Sequence, residues 1–363
     1  MTNYNIKNSL PGGSSSSLRN QGMMASEKEI FSLTGPTFLT SIDWNNSHHR
    51  RSVAASLVQG VYTMERDRQQ NRAGSQALAP PWWQLFDFKL NHILVDNQDL
   101  SYFGAIYEFN SSYSYHSYSG QRPPQYVIAF RGTIKKPGNR EQDFKLNLHF
   151  MLHNLNNSTR YQIGLESVRE IAHRAGPQNV WLAGHSLGAS IALLIGRDMV
   201  KHTKMNLETY LFNPPFASLP IEKIANEKLR HGLRFASSVL TAGLAVATGG
   251  GKSAKEEDTF VVLSTWIPYL FVNPSDPICS EYVGYFEHRE KMESMGAGKI
   301  GRLATKHSVG SIVRGKDCEA GHLIPCAYLS INLSPSQSFK EAHGIHQWWR
   351  QDLQFKYKLF QYN

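Results

Sequence analysis

The chain has 363 residues, of which 41% are hydrophobic and 18% are charged. This is the composition of an ordinary globular protein, and it excludes disordered, collagen-like and disulfide-scaffold chains. The 38 basic and 29 acidic side chains give a net charge of +9, which favours anionic surfaces. Because the charges are scattered apart from the basic run at residues 48–51, we expect at most peripheral contact with an anionic membrane surface and no nucleic-acid partner.

The N-terminal residues 1–26 are rich in Asn, Ser and Gly. We predict a flexible tail, because this segment cannot bury enough apolar surface to offset the entropy lost on ordering. The tail lacks the continuous apolar stretch of a secretory signal. Three cysteines, Cys279, Cys318 and Cys326, are too few for a disulfide framework in a chain of this length. We therefore expect a cytoplasmic protein, with a plastid as the alternative because the tail has no acidic residue.

The first long element is a predicted amphipathic helix over residues 47–69, which the asparagines just before it could cap. Its apolar residues at helical spacing are Val53, Leu57, Val61 and Met64. Strand patterns follow at residues 86–95 and 102–109. The continuous apolar run at residues 126–130 is typical of a strand buried on both faces of a mostly parallel sheet.

Helix and strand patterns then alternate. A helix that begins near Tyr161 ends at Ala175, because Gly and Pro follow. Residues 180–183 form a second buried strand, and the apolar run at residues 265–272 predicts another. This alternation predicts an α/β fold, and we interpret residues 27–363 as one domain.

The second buried strand runs directly into Gly184-His185-Ser186-Leu187-Gly188, and an apolar helical segment follows. Strand, turn and helix are the setting of a nucleophile elbow, in which a strained turn exposes the serine hydroxyl at the edge of the sheet. A developing oxyanion there meets free backbone N–H groups at the start of a helix. Ser186 is therefore the predicted nucleophile.

Two motifs in order, Phe130-Arg131-Gly132-Thr133 and the Gly-His-Ser-Leu-Gly elbow, resemble the class 3 lipase family of the α/β-hydrolases. The resemblance implies an α/β-hydrolase fold, with a mostly parallel central sheet flanked by helices, and hydrolysis of carboxyl esters, with acyl lipids as the favoured substrates and no cofactor. The chain looks most similar to the plant subgroup labelled GDSL esterase/lipase-like, although it contains no Gly-Asp-Ser-Leu run.

Ser186 needs a general base, and the base needs an orienting carboxylate, in the chain order serine, acid, histidine. The acid should follow a later strand. Asp276 lies in the loop after residues 265–272, where the family has an Asp-Pro pair, so the resemblance assigns the acid to Asp276. The long interval after Ser186 leads us to interpret residues 226–260 as an insertion.

Two histidines near the C terminus are candidates for the base. The resemblance favours His343, which follows a small residue and precedes aromatic residues, and it leaves His346 as the alternative. The oxyanion hole should combine the N–H of Leu187 with a donor from the loop after residues 126–130. The resemblance assigns that donor to Thr133, whose N–H and hydroxyl could both donate. We expect Arg131 to form a structural ion pair.

Two segments bear on access to the site. The apolar run at residues 235–247 is either a buried helix or a flap that contacts lipid. Residues 135–154 occupy the usual lid position of the family, but their apolar residues alternate as in a strand, so we expect no helical lid.

A metal site is the competing interpretation of one cluster. Cys318, His322 and Cys326 have a four-residue spacing that would align them on a helix, but Gly321 and Pro325 argue against that helix. We therefore expect buried thiols and no bound metal.

The sequence as a whole predicts a serine carboxyl-ester hydrolase, a lipase or an esterase, with an acyl-enzyme intermediate. The alternatives are a non-catalytic α/β-hydrolase scaffold that binds a ligand or a protein partner, and an acyltransferase that uses the same triad. A histidine within reach of Ser186 distinguishes an enzyme from a scaffold.

Overall fold

Five parallel strands occupy the middle of one eight-stranded sheet, which antiparallel strands extend on both sides. The structure, a computed structural model, describes residues 26–110, 121–134, 148, 151–152, 154–216, 259–295 and 323–362. The strands, in an order that follows the chain, are β1 (Phe88–Val95), β2 (Tyr102–Phe109), β3 (Tyr126–Phe130), β4 (Val180–His185), β5 (Glu208–Phe212), β6 (Tyr269–Val272), β7 (Ala327–Asn332) and β8 (Phe355–Phe360). Strands β3 to β7 run parallel, so their carboxyl ends meet at one edge.

The central strands are buried on both faces, as their continuous apolar runs predict. In β3, Ile128 and Phe130 belong to the apolar core on one face of the sheet, whereas Val127 and Ala129 belong to the core on the other. Side chains alternate between the two faces of a strand, so each face of this sheet needs its own layer of helices.

The four longest helices among the described residues supply these layers. They are α1 (Ser47–Gln69), α2 (Thr159–Ala175), α3 (Leu187–Asp198) and α4 (Glu281–Ser294). Shorter helical segments are Glu27–Glu29, Phe31–Thr34, Gly74–Gln76, Pro81–Gln84, Leu155–Asn157, Pro177–Asn179, Met199–Thr203, Thr259–Leu263, Phe339–Ala342 and Ile345–Trp349. Helix α1 packs in the core on one face, and α2, α3 and α4 contribute to the core on the other.

Helix α1 begins and ends where the sequence predicts, but it is not amphipathic. The Asn46 side chain caps it by accepting the N–H of His48 at 2.9 Å. Every residue from 50 to 61 is buried, so polar side chains such as Ser52 and Ser56 are enclosed as well as the apolar ones. The helix must therefore be covered on the side that faces away from the sheet.

The N-terminal residues 26–46 help to provide this cover, and side chains from distant elements hold them by their backbone. The carbonyl of Lys28 accepts hydrogen bonds from Gln59 Nε2 at 3.2 Å and from His346 Nε2 at 3.0 Å. The indole of Trp349 donates to the carbonyl of Thr34 at 2.7 Å. The segment thus links helix α1 to the C-terminal part of the chain.

The predicted strand boundaries need small corrections. Strand β1 begins at Phe88 and not at residue 86, and β4 continues to His185, which brings the strand up to the nucleophile. The strand predicted over residues 265–272 begins only at Tyr269, because Pro268 cannot donate to a sheet hydrogen bond. Strands β5, β7 and β8 and helix α4 were not predicted.

The strand expected from the alternation in residues 135–154 is wrong where the structure describes that segment. Leu148, Met151 and Leu152 are helical. Leu148 belongs to the buried core, and Met151 and Leu152 pack against it. Their apolar side chains therefore form a buried helical face. The prediction failed because a short apolar run does not distinguish a buried helix from a strand.

Several predictions concern residues outside the described part of the chain: the tail up to residue 25, most of the insertion at residues 226–260, the apolar run at residues 235–247, Cys318 and His322. Cys279 and Cys326 are free and buried. Among the helices that are described, none is long and apolar enough to cross a bilayer.

The His346→Gln variant tests the attachment of the N-terminal segment. Burial lowers the pKa of His346 to about 4, whereas an unfolded chain has a histidine pKa of about 6.5. Between these values only the unfolded state binds the proton, so this group reduces stability as the pH falls. Gln keeps the donor to Lys28 but cannot titrate. We therefore expect the free energy of unfolding, measured in urea, to fall less between about pH 6.5 and pH 4 in the variant than in the wild type. The expected difference is about 2 kcal/mol, which is less than the pKa shift alone implies because solvent still reaches part of the ring.

The control for this prediction is His173→Gln, which removes an exposed imidazole from helix α2. It tests whether loss of any imidazole, and not that of His346 in particular, produces the effect. If the free energy of unfolding depends on pH in the same way in His346→Gln and in the wild type, the predicted effect of His346 on stability is contradicted.

Candidate active site

The nucleophile elbow lies between strand β4 and helix α3. Ser186 has φ 56° and ψ −126°, a strained conformation for a residue with a side chain. The two flanking glycines are required by close approach: a Cβ on Gly184 would lie 2.3 Å from the carbonyl oxygen of Gly188, and one on Gly188 would lie 2.3 Å from that of Phe130. The N–H of Ser186 donates to the carbonyl of Phe212 at 3.0 Å, so the turn is also tied to β5.

The structure brings Ser186, His343 and Asp276 together. Nε2 of His343 lies 3.0 Å from Ser186 Oγ, and Nδ1 of the same ring lies 2.8 Å from Asp276 Oδ2. A carboxylate accepts hydrogen bonds, so Nδ1 carries the proton and Nε2 is the acceptor for the serine O–H. The residues Ser186, His343 and Asp276 are 1%, 8% and 0% exposed, respectively, and the arrangement is therefore shielded from water.

The Asp276 carboxylate is held by several donors. Its Oδ1 accepts the N–H of Ile278 at 3.0 Å, and its Oδ2 accepts Asn213 Nδ2 at 2.8 Å and the thiol of Cys279 at 3.2 Å. Burial alone would raise the pKa of Asp276, but the His343 ring and its hydrogen bond, together with the donors from Ile278 and Asn213, keep the pKa below its ordinary value. Asp276 is therefore ionised at neutral pH, as an orienting carboxylate must be.

The segment after strand β3 lies against the nucleophile. A Cβ on Gly132 would be 2.7 Å from the Cβ of Ser186, so only glycine allows this approach. Thr133, the predicted oxyanion donor, comes next in the chain, and its hydroxyl lies 4.0 Å from the sulfur of Met151. Leu187, the other predicted donor, is the first residue of helix α3, where backbone N–H groups have no partner within the helix.

Arg131 does not make the ion pair expected for it among the described residues. Its guanidinium donates to the carbonyl of Tyr102 at 2.6 Å and to that of Gly132 at 2.8 Å. It therefore stabilises the backbone at the end of β3, beside the predicted oxyanion segment.

A chain of three hydrogen bonds connects the Gly132 segment to the backbone of His343, and the sequence did not predict it. The N–H of Gly132 donates to the Tyr62 hydroxyl at 2.7 Å, and that hydroxyl lies 2.8 Å from Nδ1 of His185. Nε2 of His185 lies 2.7 Å from the carbonyl oxygen of His343. Because a carbonyl only accepts and an N–H only donates, all three bonds have one direction: Gly132 to Tyr62, Tyr62 to His185, and His185 to His343.

This direction requires a neutral His185 ring with its proton on Nε2. Burial, and next the nearby His343 ring, lower the pKa of His185 to about 3, and burial raises the pKa of Tyr62. Both groups therefore keep the protonation states that the chain of hydrogen bonds needs. The chain connects the backbone of the base to the backbone of the segment beside Ser186.

His346, the alternative base, is directed elsewhere. Its ring nitrogen binds the Lys28 carbonyl, as described above, whereas the Ser186 hydroxyl is bonded by His343. No group of three His, Cys, Asp or Glu side chains within the described ranges could hold a metal ion.

Comparison with known proteins identifies the family of the chain. Residues 121–222, which include the elbow and the Gly132 segment, match the family model of lipase (class 3). One relative, the GDSL esterase/lipase At4g10955 of Arabidopsis thaliana, is 50% identical over 351 residues, which cover 94% of this chain and 100% of the relative. The chain belongs to the class 3 lipase family.

Family membership confirms three predictions: the class 3 lipase resemblance, the α/β-hydrolase fold and the enzyme class of carboxylic-ester hydrolases. The relative carries the label GDSL in its name. In this class 3 lipase the serine motif is Gly-His-Ser-Leu-Gly, and the chain has no Gly-Asp-Ser-Leu run.

The Tyr62→Phe variant tests the hydrogen-bond chain behind the nucleophile. It leaves the Gly132 N–H without its acceptor and His185 Nδ1 without its donor, which should cost about 1–3 kcal/mol of stability. Because the Gly132 segment then loses its fixed position beside Ser186, we expect kcat to fall about tenfold or more with little change in KM. Steady-state hydrolysis of a nitrophenyl ester measures both constants.

A matched control is Tyr107→Phe, which removes a buried hydroxyl that donates to the Leu57 carbonyl at 3.1 Å, away from the nucleophile. It should reduce stability by a similar amount and leave kcat unchanged. An equal effect of the two variants on kcat would contradict the positioning role of Tyr62.

Proposed function

We propose that this class 3 lipase hydrolyses carboxyl esters of acyl lipids through an acyl-enzyme intermediate, with Ser186 as nucleophile, His343 as general base and Asp276 as the orienting acid. The observation that carries the proposal is the position of one imidazole, 3.0 Å from the serine oxygen and 2.8 Å from the carboxylate. These are hydrogen-bond distances on both sides of the ring.

The proposed reaction begins when Nε2 of His343 accepts the proton of the Ser186 hydroxyl as its oxygen attacks the ester carbonyl. The imidazolium that forms is stabilised by the ionised Asp276 on Nδ1. It then donates its proton to the departing alcohol oxygen, which leaves the acyl group on Ser186. A water molecule, deprotonated in turn by His343, attacks the acyl carbonyl. The bond to Ser186 Oγ then breaks as this oxygen takes the proton from His343, which releases the carboxylic acid and free enzyme.

The negative charge on the carbonyl oxygen requires donors that are already oriented. The N–H of Leu187 suits this role because it is the first N–H of helix α3, which has no partner within the helix and lies at the positive end of the helix dipole. Thr133 is the proposed second donor, since Gly132 before it is packed against Ser186. Loss of one such donor costs about a hundredfold or more in kcat.

The substrate class rests on the family and on the named relative, an esterase/lipase. The acyl lipid is therefore a proposal about the natural substrate, and the chemistry itself requires only a carboxyl ester. A base within hydrogen-bond distance of Ser186 favours an enzyme over the scaffold alternative. Transfer of the acyl group to an alcohol in place of water would use the same residues.

The Ser186→Ala variant tests the proposed nucleophile. We expect it to lose labelling by a fluorophosphonate and to lose turnover of nitrophenyl esters by at least about a thousandfold, because no covalent intermediate can form. A series of esters from short to long acyl chains, assayed on the wild type, separates an esterase from a lipase by the chain length with the highest kcat/KM.

The control is Ser190→Ala, one turn further along helix α3, where a buried hydroxyl is removed without touching the proposed triad. It should keep both labelling and turnover. Turnover by Ser186→Ala at the wild-type rate, or the absence of turnover by the wild type on every ester, would refute the proposed function.

A further inference from the structure

The loop that carries His343 is held by its backbone carbonyls. The carbonyl of Ala342 accepts Asn213 Nδ2 at 3.1 Å and Gln347 Nε2 at 2.6 Å. The carbonyl of Gly344 accepts Gln347 Nε2 at 3.0 Å. As described above, the carbonyl of His343 itself accepts His185 Nε2. Three successive carbonyls therefore each have a donor from a buried side chain.

The orientation of the Gln347 amide follows from its neighbours. Its Oε1 accepts Asn273 Nδ2 at 2.8 Å and Asn332 Nδ2 at 2.9 Å. Those two amides are themselves oriented, since Asn273 Oδ1 accepts the N–H of Ser275 and Asn332 Oδ1 accepts the N–H of Ser334. The nitrogen of Gln347 can therefore only face the carbonyls of the His343 loop.

The Asn213 amide is oriented in the same way. Its Oδ1 accepts the indole N–H of Trp348 at 2.7 Å, and an indole N–H only donates. Its Nδ2 therefore faces the other side, where it donates to Asp276 Oδ2 at 2.8 Å and to the Ala342 carbonyl. Asn213 is fully buried and has φ 46°. One amide thus connects the proposed acid to the loop of the proposed base.

The polar side chains that hold this loop come from neighbouring strands of the parallel sheet. His185 is the last residue of β4, Asn213 follows β5, Asn273 follows β6, and Asn332 is the last residue of β7. Carboxyl ends of parallel strands meet at one edge, which explains how residues far apart in the chain converge on one loop. Two strand ends hold the loop directly, through His185 and Asn213, and two more hold it through Gln347. The loop therefore has little freedom to change the position of His343.

We propose that Asn213 and Gln347 are positioning residues which, together with His185, form a carbonyl clamp on residues 342–344 and keep Nε2 of His343 opposite Ser186. The proposal rests on the proposed function, because it assigns His343 as the base. Neither residue contacts the reacting atoms. Their effect is to remove motion of the base before the substrate binds, and displacement of a catalytic group by about 1 Å can cost about a hundredfold in rate.

The first test compares Gln347→Met with Gln59→Met. Met has a similar length and no N–H donor, so the first variant releases the carbonyls of Ala342 and Gly344. Gln59 is also buried and also donates to a backbone carbonyl, that of Lys28, which lies outside residues 342–344 and keeps its second donor, His346, in the variant. We expect kcat for a short nitrophenyl ester to fall about ten- to a hundredfold in Gln347→Met, with KM within about twofold, and to stay unchanged in Gln59→Met.

The second test avoids backbone strain. In Asn213→Gly the amide disappears, and glycine adopts the positive φ at this position without strain. The matched control is Asn71→Gly, which makes the same change at an exposed residue with φ 54°. The clamp predicts a fall in kcat of about tenfold or more for Asn213→Gly alone. If Gln347→Met does not fold, the comparison of Asn213→Gly with Asn71→Gly tests the clamp by itself.

Hydrogen exchange of the peptide that covers residues 339–349 tests the clamp without relying on turnover. We expect faster exchange in both clamp variants than in the wild type and the two controls. A folded clamp variant with kcat within about twofold of the wild type and unchanged exchange would refute the clamp. Absence of Ser186-dependent turnover in the wild type would refute the proposed function, and the exchange comparison would still test whether the clamp holds the loop.

Discussion

The imidazole of His343 joins two groups that the chain places far apart, the hydroxyl of Ser186 and the carboxylate of Asp276. Its two hydrogen bonds, at 3.0 Å and 2.8 Å, span 157 and 67 residues of sequence. Such a meeting requires a scaffold that brings distant segments to one place. The parallel part of the sheet does this, because the elbow follows β4, the acid follows β6, and the base follows β7, all at the same edge.

Much of the structure around the site serves to hold reactive groups still. Ser186 is kept in a strained turn by two close glycine contacts, and the Gly132 segment is held against it by Tyr62. On the other side, the carbonyl clamp fixes the loop of His343. Hydrogen bonds that are formed before the substrate arrives need no reorganisation during the reaction. The site therefore fits a mechanism that depends on preorganisation.

The parts of the site that the sequence predicts are those with a local pattern or a family order. The elbow is visible because strand, turn and helix lie in consecutive residues. Asp276 and His343 could be chosen only by resemblance and by chain order, and the structure brings both to Ser186. The amphipathic pattern of helix α1 gave the correct bounds, but it could not indicate that residues 26–46 enclose the helix.

The residues that position the triad could not be predicted from the sequence. Tyr62 contacts His185 across 123 residues, and Asn213 contacts Ala342 across 129. A buried amide such as Gln347 looks like any surface amide until its partners are known. Strands β5 and β7 were missed for a related reason: short buried strands have no clear period, and their neighbours in the sheet determine them.

The proposed activity depends on one imidazole making one hydroxyl nucleophilic. The most direct measurement is the rate constant for the reaction of a fluorophosphonate with Ser186 in His343→Ala, compared with His346→Gln and the wild type. We predict that His343→Ala reacts at least about a thousandfold more slowly than the wild type, whereas His346→Gln reacts at a rate near that of the wild type. Labelling of Ser186 in His343→Ala at the wild-type rate would contradict it.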